Sequence, residues 1–141
     1  YPSYGAEMRG GTVNCEVVMS DDEVSEVNKS DADFIIALNQ ASFDRFLPKI
    51  KKGGLMIANS TLVKEEKTRS DINYIKMAED LGNVKMANIL SLGILAKGGK
   101  VTSLEYLNQA LDAVIPPHRK NLLPLNIKAL KIGYEYDLLT V

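Results

Sequence analysis

A glycine-flanked arginine and two short polar runs are the places where this chain has chemistry to offer. Arg9-Gly10-Gly11 sets a planar, permanently charged guanidinium beside backbone bare enough to approach another molecule closely. A phosphate, a carboxylate or a facing protein surface would each suit it. A solvated arginine on a mobile turn would look the same. Asn39-Gln40 and Asn59-Ser60 each follow a short apolar run. Their side chains are neutral donors and acceptors, fit to orient a ligand or a facing subunit but not to carry out acid–base chemistry. Asn and Ser also cap helices and turns constantly, and that role is open at all four positions.

No Ser/His/Asp set, paired-carboxylate motif, metal-ligand cluster or complete phosphate-binding loop accompanies these residues, so neither catalytic nor metal-binding residues are expected in this chain. The sole histidine, His118, follows Pro116-Pro117 with no second His or Cys nearby and reads as a surface residue. The single cysteine, Cys15, excludes an internal disulfide and gives no metal cluster. With 45% hydrophobic and 25% charged residues and a formal net charge of −1, the chain has no cationic excess to hold a phosphate backbone, so nucleic acid is not expected as a partner. No stretch approaches the roughly 20 apolar residues of a membrane span. No signal-peptide pattern opens the sequence, which makes the cytoplasm the default location.

The elements that must position these residues centre on Asp33–Ser60. Phe34 to Leu38 is continuously apolar, as in a strand covered on both faces. Phe43, Phe46, Leu47 and Ile50 recur at helical spacing, with Gly53 or Gly54 as the left-handed residue ending that helix, and Leu55 to Ala58 forms a second buried strand. The two strands should be parallel, joined by a right-handed crossover, with Asn39-Gln40 and Asn59-Ser60 at the carboxyl ends where open sheets gather ligands. Upstream, Thr12 to Met19 reads as a strand, Ser20 to Glu23 as a turn and Val24 to Asp31 as a polar connection. Downstream, Thr61 to Val63 extends the strand, Lys64 to Arg69 is a charged surface loop, Asp71 to Ile75 alternates as an edge strand, and Met77 to Leu81 forms a short helix ending at Gly82-Asn83.

The remainder is helical. Met86 to Lys97 turns Ala87, Leu90, Ile94 and Leu95 inward; Thr102 with Glu105 makes a capping box for a helix with Leu104, Leu107, Leu111 and Val114 inward; Pro116-Pro117 ends it. A last helix over 120–136 places Pro124 in its first turn or at a kink. Leu123, Ile127, Leu130 and Tyr134 form one apolar stripe, and Leu122, Leu125, Ala129 and Ile132 another. That width fits burial in the core plus a partner subunit, or burial in the core alone. The fold class is therefore α/β: an open, mostly parallel Rossmann-like sheet flanked by helices, with a helical C-terminal part, in one domain over 1–141. A doubly wound domain usually opens with a strand, a tight Gly loop and a helix; that N-terminal β–Gly loop–α unit is expected to be missing from the sequence.

From Tyr4-Gly-Ala-Glu-Met-Arg-Gly-Gly-Thr12 onward the chain resembles the gamma subunit of 2-oxoacid:ferredoxin oxidoreductases, closest to the 2-oxoglutarate type. The resemblance continues in order through Leu38-Asn39-Gln40, Gly53-Gly54-Leu55, Asn59-Ser60, Leu81-Gly82-Asn83, Ala87-Asn88, Leu92-Gly93 and Asn126-Ile-Lys-Ala129. It implies a subunit that is not active alone, in an enzyme converting 2-oxoglutarate and coenzyme A to succinyl-CoA and carbon dioxide with two electrons passed to ferredoxin. Thiamine diphosphate and 4Fe–4S clusters would sit on partner subunits, with coenzyme A linked to this domain and ferredoxin met only indirectly. Arg9, Gly10, Gly11, Asn39 and Gln40 are the positions the resemblance places near the ligand or subunit interface. A branched-chain or indolepyruvate homologue is an alternative within the family. A stand-alone nucleotide-binding regulatory module on the same fold is the alternative outside it.

Overall fold

The structure, a computed structural model, describes residues 2–3, 14–24, 31–60 and 71–138. Strands β1 (Pro2–Ser3) and β2 (Asn14–Cys15) pair antiparallel in a small sheet of their own. The main sheet has the order β3 (Ala32–Ala37), β4 (Ile50–Asn59), β5 (Asp71–Ile72), and both pairings are parallel. The expected βαβ unit is present: between β3 and β4 run α1 (Gln40–Phe46) and a 3₁₀ turn, Leu47–Lys49. The other α-helices are α2 (Tyr74–Asp80), α3 (Ala87–Gly98), α4 (Leu104–Val114) and α5 (Leu123–Glu135), with 3₁₀ turns at Val84–Met86 and Pro117–Leu122, so that the helix expected from Lys120 is α-helical only from Leu123.

Period-two alternation assigns each sheet face its helices. Ala37 and Ile35 of β3 and Met56 and Ala58 of β4 pack with Phe43 of α1 and Leu47. Ile36, Leu55, Ile57 and Ile72 point the other way, into the larger core built with Tyr74, Ala78, Met86, Leu90, Ile94 and Ala129. The sheet is thus covered on both faces, which is why its strands read as unbroken apolar runs. β4 carries an irregularity near its start, since Ala32 pairs with Ile50 but Phe34 with Leu55. Gly53, at φ +84°, takes the left-handed backbone this bulge requires. That glycine therefore serves the strand and not the end of α1, correcting the expectation for it.

Other expectations also shift. Of the strand expected over Thr12–Met19, Asn14–Cys15 is strand and residues 16–19 are not, while Thr12 and Val13 lie outside the described residues. β5 stops at Ile72 because Asn73 caps α2, so the alternation over Asp71–Ile75 spans a strand end and a helix start. α2 consequently begins three residues before Met77, and it ends as expected, with Gly82 left-handed at φ +82°. The N-cap of α4 is Ser103, whose Oγ accepts from Tyr106 N–H at 3.3 Å, and not Thr102. The one-residue offset removes the Glu105 capping box; Leu104, Leu107 and Leu111 lie half-buried as expected, but Val114, the last residue of the helix, is 77% exposed instead of inward. Thr61–Val63, Lys64–Arg69 and most of the connection over Val24–Asp31 fall outside the described residues.

α3 is apolar nearly all round, as a helix enclosed on several sides must be. Leu90, Ile94, Ala129 and Leu130 are fully buried where α3 and α5 meet. The two backbones approach closely enough to exclude side chains. A Cβ on Gly93 would lie 2.8 Å from Tyr134 N and crowd the Leu130 carbonyl; one on Gly133 would lie 2.9 Å from the Leu90 carbonyl carbon. Helix propensity favours alanine over glycine by about 1 kcal/mol, but the clash here is with rigid backbone. Gly93→Ala or Gly133→Ala should each lower stability by about 2 kcal/mol or more, seen as a reduced urea midpoint. An unchanged midpoint would show that the helices separate without penalty.

Candidate functional site at the carboxyl edge of the sheet

The three parallel strands of the main sheet end side by side: Ala37 lies opposite Ala58, and Asn59 opposite Ile72. The residues at and just after these ends bring Asn39, Gln40, Asn59, Ser60 and Asn73 to one edge. Asn39 is extended (φ −154°, ψ 169°), and its Oδ1 accepts from Ser42 N–H at 2.8 Å, capping α1. Gln40 opens that helix, and its Nε2 donates to Asp44 Oδ1 at 2.7 Å, one turn on. Asn73 caps α2 in the same way, its Oδ1 accepting from Lys76 N–H at 2.9 Å. Asn59 is fully buried and accepts a long bond, 3.5 Å, from Ile75 N–H. Capping therefore accounts for the carbonyl ends of Asn39 and Asn73. Asn39 is exposed, and its side-chain NH₂ remains a donor at the strand end.

Tyr74 is the residue that sequence reasoning passes over. It is 1% exposed, and its hydroxyl donates to the Ala37 carbonyl oxygen at 2.9 Å. The last residue of β3 is thereby tied to the first residue of α2. Ser60 N–H donates to Ile72 O at 3.3 Å, closing the same edge between β4 and β5. Burial pushes the Tyr74 phenol well above the ordinary tyrosine range, because the phenolate would lose its hydration. The only local signal was an aromatic residue carrying a polar handle after an asparagine cap; its partner lies 37 residues upstream.

The edge's electrostatics limit what it can hold. Lys76, in the first turn of α2, donates to the Asp80 carboxylate, and that hydrogen bond with its ion pair raises the ammonium pKa. Both helix N-termini here are filled by their own asparagine caps. The described part of the edge thus suits an uncharged hydrogen-bonding group better than a phosphate. Arg9, Gly10 and Gly11, which carry the cation, lie outside the described residues. One cysteine, the exposed Cys15, cannot supply the four thiolates of an iron–sulfur cluster. No group of three or more His, Cys, Asp or Glu among the described residues could hold a metal ion, and no helix among them is long and apolar enough to cross a membrane.

Comparison with known proteins places this fold. The profile of the pyruvate ferredoxin/flavodoxin oxidoreductase family matches residues 1–136. The 2-oxoglutarate synthase subunit KorC of Methanocaldococcus jannaschii is 31% identical over 140 residues, covering 94% of this chain and 73% of that protein. The ketoisovalerate oxidoreductase subunit VorA of Methanothermobacter marburgensis is 30% identical over 142 residues, covering 96% of this chain but 29% of that protein. Against VorA, then, the chain spans under a third of the relative's length. The crystal structure of a keto/oxoacid ferredoxin oxidoreductase gamma subunit from Geobacter sulfurreducens superposes with a TM-score of 0.73 at 28% identity, covering 96% of this chain and 76% of that one. The chain belongs to the pyruvate ferredoxin/flavodoxin oxidoreductase family.

Two outcomes follow from this geometry. Asn39→Ala should lower stability by about 1 kcal/mol through loss of the α1 cap, whereas Asn39→Ser, which still caps, should stay within about 0.5 kcal/mol, both by urea unfolding. Tyr74 has a folded pKa raised above its unfolded value, so its stabilising contribution is complete below about pH 10 and declines as pH rises further, by up to ~1.4 kcal/mol per unit. Stability measured across that range should fall more steeply for the parent than for Tyr74→Phe; parallel curves would mean that the phenol titrates normally.

Proposed function

We propose that this chain acts as the gamma subunit, or gamma-type domain, of a multi-subunit 2-oxoacid:ferredoxin oxidoreductase. The reaction joins a 2-oxoacid to coenzyme A, releases carbon dioxide and passes two electrons to ferredoxin. The observation that carries the reading is the match along nearly the whole chain to proteins named as subunits of such enzymes. A carboxyl edge whose described residues at the strand ends are neutral amides and a hydroxyl agrees with it. Thiamine diphosphate and 4Fe–4S clusters, bound on companion chains in the cytoplasm, supply the carbanion and electron-transfer chemistry.

This chain's part is assembly and the positioning of coenzyme A. Arg9, beside Gly10 and Gly11, offers the cation for the phosphates. Asn39 and Gln40 orient the uncharged part of the molecule from the end of β3. The first substrate to try is 2-oxoglutarate. The near-equal identity to the ketoisovalerate relative favours a branched-chain 2-oxoacid as the second reading.

The test is an affinity pull-down of the tagged native protein, followed by an absorbance spectrum, a thiamine assay and coenzyme A-dependent reduction of ferredoxin. Brown, thiamine-containing material with companion chains, and a higher kcat/KM for 2-oxoglutarate than for 2-ketoisovalerate, is the expected result. The reverse preference selects the branched-chain reading. A colourless protein that comes down alone and binds ATP without partners would replace both with a nucleotide-binding module.

A further inference from the structure

Three contacts converge on the first turn of α2, and a fourth closes the sheet just before it. The Tyr74 hydroxyl donates to Ala37 O of β3 at 2.9 Å, Ile75 N–H reaches Asn59 Oδ1 of β4, Ser60 N–H bonds Ile72 O of β5, and Asn73 caps the helix itself. This turn ties the carboxyl ends of β3 and β4 to the helix that directly follows β5. The Tyr74 contact differs from the others in what it controls. Only Leu38 separates Ala37 from Asn39, the cap that fixes where α1 begins. The packing alone would accept phenylalanine, which fills the same space without a hydroxyl to desolvate. A tyrosine here is used for its hydrogen bond.

We infer that Tyr74 is a positioning residue, whose buried hydroxyl holds the end of β3 and so sets where Asn39 and Gln40 meet coenzyme A. The inference rests on the reading of this edge as part of the coenzyme A site. Tyr74 makes no contact with the ligand in this scheme; it acts through Ala37 and the two residues that follow. Removing the hydroxyl lets the β3–α1 junction drift while the core stays filled.

The experiment compares Tyr74→Phe and Asn39→Ser with the parent in the purified, assembled enzyme. Tyr74→Phe should raise the KM for coenzyme A about fivefold, the equivalent of one ordinary hydrogen bond, with kcat and the KM for the 2-oxoacid within about twofold. Backbone amides of 38–42 should exchange with deuterium faster in that variant, while those of α3 stay protected. An unchanged coenzyme A KM in Tyr74→Phe, with a raised one in Asn39→Ser, overturns the positioning role and leaves the site standing. No change in either variant removes the site, and the inference with it. Faster exchange throughout α3 and α5 also overturns the inference, because the hydroxyl is then a requirement of the whole core.

Discussion

The crossing of α3 and α5 is the constraint that the rest of the structure obeys. Gly93 and Gly133 let each backbone meet the other's carbonyl or amide face with no side chain between them. This brings Leu90 and Ile94 of α3 into one buried cluster with Ala129 of α5 and with Ile57 of β4 and Ile72 of β5. α2 closes that cluster through Tyr74 and Ala78. A helix pair held at ordinary side-chain separation would stand off by a few ångströms. The sheet face would then need larger residues than its Ile, Leu and Ala side chains to close against it. The small residues of the crossing therefore set how closely α5 closes over the core on that face.

The parts of the fold visible in the sequence are those whose signal is local and repeated. Ile35 to Ala37 and Leu55 to Ala58 are apolar on both faces because both faces are covered there, while Phe34 and Leu38 at the ends of the first run are exposed; parallel pairing follows from the helix between the strands. The elements that moved depend on distant partners or on a choice between equivalent neighbours. Thr12 to Met19 has good strand composition, but a strand is defined by its pairing, and among the described residues only Asn14–Cys15 pairs, with Pro2–Ser3. Thr102 and Ser103 are both competent caps, and the backbone selected the second; Leu104, Leu107 and Leu111 still face inward, while Val114, the last residue of the helix, is exposed. On α5 the two expected stripes are largely realised: Ala129 and Leu130 are fully buried and most of their neighbours partly so, with Leu122 left at the surface.

The candidate site was readable as a place more than as a set of contacts. Asn39 and Gln40 sit at the end of β3 as expected, yet each also holds α1 together. Their residue types could not separate the two roles, because the same amide oxygen that orients a ligand also caps a helix. Asn59 is the clearer case: full burial commits it to the interior, where it meets the first turn of α2. Tyr74 was invisible for a different reason. Its hydroxyl acts on a carbonyl brought near only when β5 has aligned beside β4, so no window of sequence contains both partners.

Self-capping also shapes what the edge can bind. An open α/β sheet ordinarily offers anions the free N–H groups and positive dipole ends of the helices that follow its strands. Here Asn39 and Asn73 place their own carbonyl oxygens in those positions, and the nearby Lys76 is committed to Asp80. What the edge has left to offer is the hydrogen-bonding capacity of neutral amides on a rigid frame. Such a surface can fix the orientation of an uncharged, amide-bearing group. That limit is compatible with the proposed role, in which this chain would orient a reactant rather than break its bonds.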